Sequence, residues 1–234
     1  MTKAPRRLAL IPAKGASKRF PRKNVALLHG RTLLELAVTA AKESAVFDRI
    51  FVSTEEEAIA DIARAAGADV PFLRPEELSR DPKGIFDVVR YTLEQLAESG
   101  DEYDVVAIML PTAPLRTAQD VAGAVRAHEE SGRPMLTTVT AWEHTPLNAY
   151  VRREDGTIVM LHPEYAGRLG ARARELPDVV RLNGAVTVAQ VAFVRAGKTL
   201  ADEPAASYEM PPERSVDVDN ERDLRLAEFL TGKR

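Results

Sequence analysis

Apolar strand-like runs alternate with amphipathic helical stretches over the first 140 residues, and this alternation leaves few folds open. Leu8 to Ile11 reads as a buried strand. Thr32 to Ser44 carries Leu33, Leu36, Ala37, Ala40 and Ala41 at helical spacing. Arg49 to Thr54 is a second strand and Glu56 to Ala66 a second helix, stopped by Gly67. Ala68 to Phe72 reads as a short strand, and Ile85 to Ser99 as a helix with Ile85, Val88, Val89, Leu93 and Leu96 on one face. Asp104 to Leu110 has the near-continuous apolar character of a doubly covered parallel strand. Ala118 to Ser131, ending at Gly132, is a helix, and Met135 to Thr140 a strand. The rhythm predicts an α/β fold, a doubly wound and mainly parallel sheet with right-handed crossovers.

The rhythm breaks between Ala141 and Leu182, where His144-Thr145-Pro146, a hairpin signal across Glu154 to Thr157, and an Arg-rich stretch from Arg168 to Arg174 follow one another. This segment is too short to bury a core alone, so residues 1–234 read as a single domain carrying a small lobe at 141–182. Strand character resumes at Gly184 to Ala189 and again at Ser215 to Asp219. A final helix runs from Asn220, a plausible N-cap, to Phe229.

Composition excludes several classes of function. The 234 residues have 45% hydrophobic and 29% charged content, a net charge of −3 and no cysteine. Broad nucleic-acid binding needs a basic excess that is absent here. Disulfides, thiolate nucleophiles and cysteine-based zinc sites are ruled out. No apolar run approaches the roughly 20 residues that cross a bilayer, and Met1 to Arg7 leads into no signal-like segment, so a cytoplasmic location is expected.

Two constellations carry chemistry. Pro12-Ala13-Lys14-Gly15-Ala16-Ser17-Lys18-Arg19-Phe20-Pro21-Arg22-Lys23-Asn24 leaves the carboxyl end of the first strand. Gly15, Ala16 and Ser17 let backbone N–H groups approach an anion, Lys14, Lys18 and Lys23 reach phosphate oxygens, and Asn24 can hold a ribose hydroxyl or a loop carbonyl. The spacing is neither a Walker A loop nor a dinucleotide fingerprint. The bland alternative is a solvated charge run. The second constellation is Asp217 and Asp219: in a strand they share one face while Val216 and Val218 face the core. Paired carboxylates suit Mg²⁺, which bridges carboxylates to substrate phosphates. The alternative is that Asp219 opens the last helix and Asp217 is merely exposed. A third segment, Leu110-Pro111-Thr112-Ala113-Pro114-Leu115-Arg116, lies at the carboxyl end of its strand, where ligands of open α/β sheets collect; a rigid turn is the alternative.

The stretch from Ile11 to Asn24 resembles the P-loop-like signature of the acylneuraminate cytidylyltransferases, the CMP-sialic acid synthetases. The resemblance continues through Phe47-Asp48-Arg49 to Val52-Ser53-Thr54, Val70 to Pro75, Pro111-Thr112 to Arg116, Arg181 with Asn183-Gly184-Ala185, and Met210-Pro211 to Asp219. It implies a Rossmann-like nucleotidyltransferase fold and transfer of CMP from CTP to a nine-carbon 2-keto sugar acid, with release of pyrophosphate, in nucleotide-sugar biosynthesis. It implies that Lys14, Gly15, Ala16, Ser17, Lys18, Lys23, Asn24, Leu110 and Pro111 contact the nucleotide. Lys18, Lys23 and Asp217 are expected to be catalytic, Asp217 and Asp219 to hold Mg²⁺, and Arg172, Arg181, Asn183 and Gly184 to meet the acidic acceptor. It implies a homodimer whose lobe reaches the partner's site, with no nucleic-acid or membrane partner.

The chain departs from that pattern in places. Lys14 replaces an Arg, Leu110 a Gln and Ala113 a Ser. A Ser is usual around Gly84-Ile85, Asn148 falls where Lys is common, Thr187 where Tyr is usual, and Arg172-Ala173-Arg174-Glu175-Leu176-Pro177 stands where Arg-Arg-Gln-Asp-Leu-Pro is usual. These changes spare the phosphate and metal residues and touch the surfaces that choose base and acceptor. Three readings stay open: a sugar-acid cytidylyltransferase, a related enzyme using another nucleotide or a sugar 1-phosphate or phosphonate acceptor, and a silent nucleotide-binding protein. Trp142 and the four scattered histidines suggest no further site.

Overall fold

The computed structural model describes residues 4–16, 20–166 and 176–232. Its first strand, β1 (Arg7–Pro12), shows why the sheet is covered on both sides. Leu8 and Leu10 enter one apolar cluster and Ala9 and Ile11 another, as the two-residue period of a strand requires. Two short paired strands, β2 (Leu27–Leu28) and β3 (Arg31–Thr32), lead into α1 (Leu33–Ser44). Thr32 starts that helix: its hydroxyl accepts from the Glu35 amide (3.1 Å) while the Glu35 carboxylate accepts from the Thr32 amide (2.6 Å). Then follow β4 (Arg49–Ser53), α2 (Glu57–Ala66), α3 (Ile85–Glu98), β5 (Val105–Ile108), α4 (Ala118–Ser131) and β6 (Met135–Ala141). Gly67 and Gly132 end α2 and α4 in the left-handed conformation, at φ 92° and 62°.

The chain next forms a separate hairpin, β7 (Tyr150–Arg152) with β8 (Ile158–Met160), across the turn that the Asp155-Gly156 signal predicts. It returns to the sheet as β9 (Val180–Gln190) and continues through α5 (Val191–Arg195), β10 (Ala206–Glu209) and α6 (Glu221–Thr231). The six-stranded sheet has the order β10-β6-β9-β5-β1-β4. All its pairings are parallel except those of β9, which runs antiparallel to both β5 and β6. Helices α1, α2 and α4 pack on one face and α3 with α5 on the other, which is the mainly parallel, doubly covered α/β fold expected. No helix among the described residues is long and apolar enough to cross a membrane.

Two expected strands are not found. Ala68 to Phe72 reduces to a single parallel bridge between Asp69 and Phe51, because Pro71 has no N–H to extend the ladder. Ser215 to Asp219 is not paired in the sheet; among the described residues its one backbone bond to another part of the chain runs from the Val218 amide to the Thr112 carbonyl (2.7 Å). The edge beside β6 is taken instead by β10, which the sequence reading left unassigned. The expected alternation survives: Val216 and Val218 are buried and Asp217 is exposed. β9 also begins earlier than expected, at Val180, and carries a pronounced bulge. Thr137 pairs with Thr187 and Val139 with Leu182, so residues 183–186 stand opposite Thr138 alone. Gly184 sits there at φ 67°, a backbone conformation suited to glycine.

Candidate functional site

The carboxyl ends of β1, β4 and β5 open on one side of the sheet, and the loops that leave them form a continuous cleft. After β1 the chain is tied down by the Ala13 amide to the Ser53 carbonyl (2.9 Å) and by the Gly15 amide to Glu55 Oε1 (2.8 Å). Asn24 is buried, and its side-chain amide donates to the Lys14 carbonyl (2.8 Å). Of its two candidate roles, the loop-bracing one is therefore the one observed. Lys23 opens a single 3-10 turn (Lys23–Val25), and its ammonium lies 2.7 Å from Asp219 Oδ1. The basic loop and the carboxylate segment, 196 residues apart in sequence, thus meet.

The cleft has two connected parts. One is lined by Pro12, Leu78, Ile85, Val88, Leu110 and Pro111, with Lys14, Lys23, Asn24, Thr112, Arg74, Ser79 and Lys83 at its polar edges. The other is lined by Lys14, Gly15, Ala16, Arg22, Lys23 and Asp219, together with Ser79, Arg80 and Asp81. Lys14 and Lys23 border both parts. The first part, the slot, thus sets an apolar wall against cations, and the second, the hollow, combines Lys14, Arg22, Lys23 and Arg80 with Asp81 and Asp219.

The carboxylate segment is positioned by side chains in place of a sheet ladder. Arg214 makes a two-pronged bond to buried Asp120 at the start of α4 (2.9 and 2.7 Å). The Ser215 hydroxyl donates to the Pro211 carbonyl (2.9 Å) and accepts from Asn183 (3.0 Å), and the Arg181 guanidinium donates to the Ser215 carbonyl (3.2 Å). Asp223 accepts from the Asp219 amide (2.9 Å) and caps α6 with Asn220, as the sequence suggested for that helix start. The Asp217 carboxyl is pushed above its ordinary pKa. Local desolvation by the surrounding protein is the main cause, although the residue as a whole is exposed. Repulsion from Asp219 and Asp223 adds to it, while a Thr112 hydrogen bond and Lys23 work against it. Among the described residues no three His, Cys, Asp or Glu side chains gather as a ready-made metal cage, so Asp217 and Asp219 stand as a pair.

The remaining expected residues fall in different places. Leu110 and Pro111 line the slot. Gly184 lies against Leu110, whose Cδ1 would stand 3.4 Å from a Cβ at that position, so the bulge of β9 packs behind a residue that lines the slot. Asn183 is 1% exposed, and its side chain is engaged inside the protein: Oδ1 accepts from Thr138 (2.6 Å) and the Ala185 amide (3.1 Å). Arg181 lines a separate hollow with Trp142, Glu143, His144 and Val216. Ser17 and Lys18 of the loop, and Arg172 with its neighbours Arg168 and Arg174, lie outside the described residues. Sequence reasoning missed Glu55, Arg74, Ser79 and the Asp120–Arg214 link. The one local signal was the Thr117-x-x-Asp120 spacing of a capping box.

An open α/β sheet whose basic loop, after its first strand, meets Asp219 in a cleft at the carboxyl ends of the strands has the arrangement of a nucleotide-binding α/β protein. Residues 8–208 match the cytidylyltransferase family. The chain is 31% identical over 227 residues to the CMP-N,N'-diacetyllegionaminic acid synthase of Legionella pneumophila, covering 95% of each chain. It is 28% identical over 229 residues to the pseudaminic acid cytidylyltransferase of Campylobacter jejuni, again with 95% of each covered. The fold is similar to that of a CMP:2-keto-3-deoxy-manno-octonic acid synthetase in complex with CTP, at a TM-score of 0.71 and 14% identity over 96% of this chain and 98% of that one. The chain belongs to the cytidylyltransferase family and is a nucleotidyltransferase.

Proposed function

We propose that this enzyme transfers CMP from CTP to the anomeric hydroxyl of a sialic-acid-like 2-keto sugar acid, with Mg²⁺ and with release of pyrophosphate. The observation that carries the reading is the meeting of Lys14 and Lys23 with Asp219 at the junction of an apolar slot and a cationic hollow. In the reaction the acceptor oxygen bonds to the α-phosphorus, the bond from that phosphorus to the bridging oxygen breaks, pyrophosphate leaves and the hydroxyl proton is released. The described residues supply positioning and charge. The slot between Ile85, Val88 and Leu110 holds the base, and Lys14 and Lys23 neutralise the polyphosphate in a partly desolvated site.

The carboxylate pair fits a hard divalent cation. Asp217 is raised by its surroundings and by Asp219, a cost that a cation between them relieves, and two carboxylates leave room for phosphate oxygens in the coordination shell. Mg²⁺ bound there supplies charge neutralisation for the triphosphate and its leaving group. Lys18, beside the loop's small residues, is assigned to the same triphosphate, and Arg172 and Arg181 to the acceptor carboxylate.

The acceptor is a nonulosonic acid other than the common sialic acid, in keeping with relatives named for legionaminic and pseudaminic acids. Thr187, where a Tyr is usual, has no phenol to offer an acceptor, and its hydroxyl is shared with that of Thr137 within the sheet (3.2 Å). The active unit is a homodimer in the cytoplasm, where CTP is available. Exposed Trp142 beside Leu226 and Leu230 of α6, with exposed Val180, Leu182 and Phe229, supplies apolar surface for the partner. Pyrophosphate release with CTP, GTP, UTP and ATP against sialic, legionaminic and pseudaminic acids tests the reading. Preference for CTP with one of the latter two acids supports it, and turnover with sialic acid alone overturns the acceptor assignment.

A further inference from the structure

We propose that Glu55 is a positioning residue that sets the shape of the nucleotide loop from beneath, through the Gly15 amide; this rests on the cytidylyltransferase reading of the cleft. Glu55 follows β4, and its side chain is 7% exposed. Oε1 accepts from the Gly15 amide at 2.8 Å. Oε2 accepts from the Arg74 guanidinium at 2.8 Å and from the Ser79 hydroxyl at 2.7 Å. Arg74, whose side chain is 3% exposed, is itself fixed by its Nη1 bond to the Ser53 carbonyl (2.7 Å) and by Nε and Nη2 bonds to Ser79 Oγ (3.1 and 2.9 Å). Every polar arm of this cluster has a partner inside the protein.

Three consequences follow for the loop. An amide given to a carboxylate cannot also face a phosphate, so Gly15 anchors the loop and leaves anion contact to its neighbours, Lys14 above all. A Cβ at Gly15 would meet the carboxylate end of the flexible Glu56 side chain, so a residue larger than glycine there has to displace Glu56. Finally, a bare carboxylate so near a polyphosphate site would repel the substrate, and Arg74 cancels that charge. A buried ion pair is weak evidence for stability and is better explained by the geometry it fixes. Here the geometry is that of Lys14 relative to Lys23, the two cations that border both parts of the cleft.

The test measures CTP binding by calorimetry, with Mg²⁺ present, and steady-state pyrophosphate release in wild type, Glu55→Ala and Glu55→Gln, alongside melting temperature. Glu55→Ala is expected to weaken CTP binding about 10- to 100-fold, the scale of losing a supporting hydrogen bond behind a binding group. KM for the acceptor should stay unchanged. Glu55→Gln retains an oxygen for the Gly15 amide and should recover most of that loss. A folded Glu55→Ala protein that binds CTP as tightly as wild type overturns the proposal, as does a loss of melting temperature with no change in CTP affinity. If Glu55→Ala does not fold, Glu55→Asp, whose shorter arm draws the carboxylate back from the Gly15 amide, carries the same test, and unchanged CTP affinity there also overturns it. CTP binding is read without turnover. Wild type that binds CTP but transfers it to no sugar acid therefore contradicts the proposed function while leaving the positioning role to be judged on the affinities.

Discussion

Replacing Asp120 with Asn removes the charge that anchors Arg214, and the cost can be worked from the contacts. Asp120 is buried at the start of α4, where it accepts from the Thr117 amide (2.9 Å) and hydroxyl (2.8 Å) and from two nitrogens of Arg214. Hydrogen bonds to charged partners are worth about 1.5–3 kcal/mol each. The Arg214 side chain is 40% exposed, so water recovers much of its share. Asn keeps a capping oxygen for Thr117, which leaves a net loss of about 2 kcal/mol. For a chain of this size that lowers the melting temperature by about 4–8 °C. Burial alone raises the Asp120 carboxyl, but the bonds from Arg214 and Thr117 outweigh it and hold the group below its ordinary pKa. Its stabilisation is therefore fully present above the unfolded-state value of about 3.9 and fades as pH falls through the lower folded value. Differential scanning calorimetry from pH 7 to pH 3 reads both the size and the sign. A difference under about 1 °C at pH 7, or one that widens on acidification, refutes the reasoning.

Two further outcomes follow from the same contacts. Asn183→Ala leaves Ser215 and the Ala185 amide without their shared partner in a buried bulge, so urea unfolding should show a loss of about 2–3 kcal/mol. Turnover should fall with it, because Ser215 leads directly into Asp217. Thr32→Ala removes the cap of α1 at a residue that lines neither part of the cleft. It should cost about 1 kcal/mol in the same assay and leave kcat/KM unchanged.

The contrast between these residues shows what could be read from the chain. Elements whose signals are local were legible: the continuous apolar run of β1, the Asn220 cap with Asp223 in the first turn of α6, and the glycines that stop α2 and α4. The strand expected at Ser215 to Asp219 failed for a related reason. Alternation of valines and aspartates reports which face is buried, which the structure bears out, but it carries no information on whether a neighbouring strand exists to pair with. The ladder position went to Ala206–Glu209, a segment without a strong apolar run. In the site, the loop and the carboxylates could be picked out by residue type. Their supports could not, because Glu55 reaches Gly15 across 40 residues and Arg214 reaches Asp120 across 94. Asn183 was visible as a polar residue in a motif, but its burial among Thr138, Ala185 and Ser215 depends on a bulge that only the paired strands create.

The central claim is that one cleft, built from the loop after β1 and from Asp217 with Asp219, moves CMP from CTP to a sugar acid. Phosphorus NMR of wild type and Asp217→Asn, each incubated with CTP, Mg²⁺ and legionaminic or pseudaminic acid, tests it most directly. The account predicts a new phosphodiester resonance and equimolar pyrophosphate with wild type. Asp217→Asn should remain folded and form neither at more than about a hundredth of that rate, the scale of removing a main electrostatic contributor to the transition state. Equal product formation by the two proteins, or CTP left intact by wild type with both acids, would contradict it.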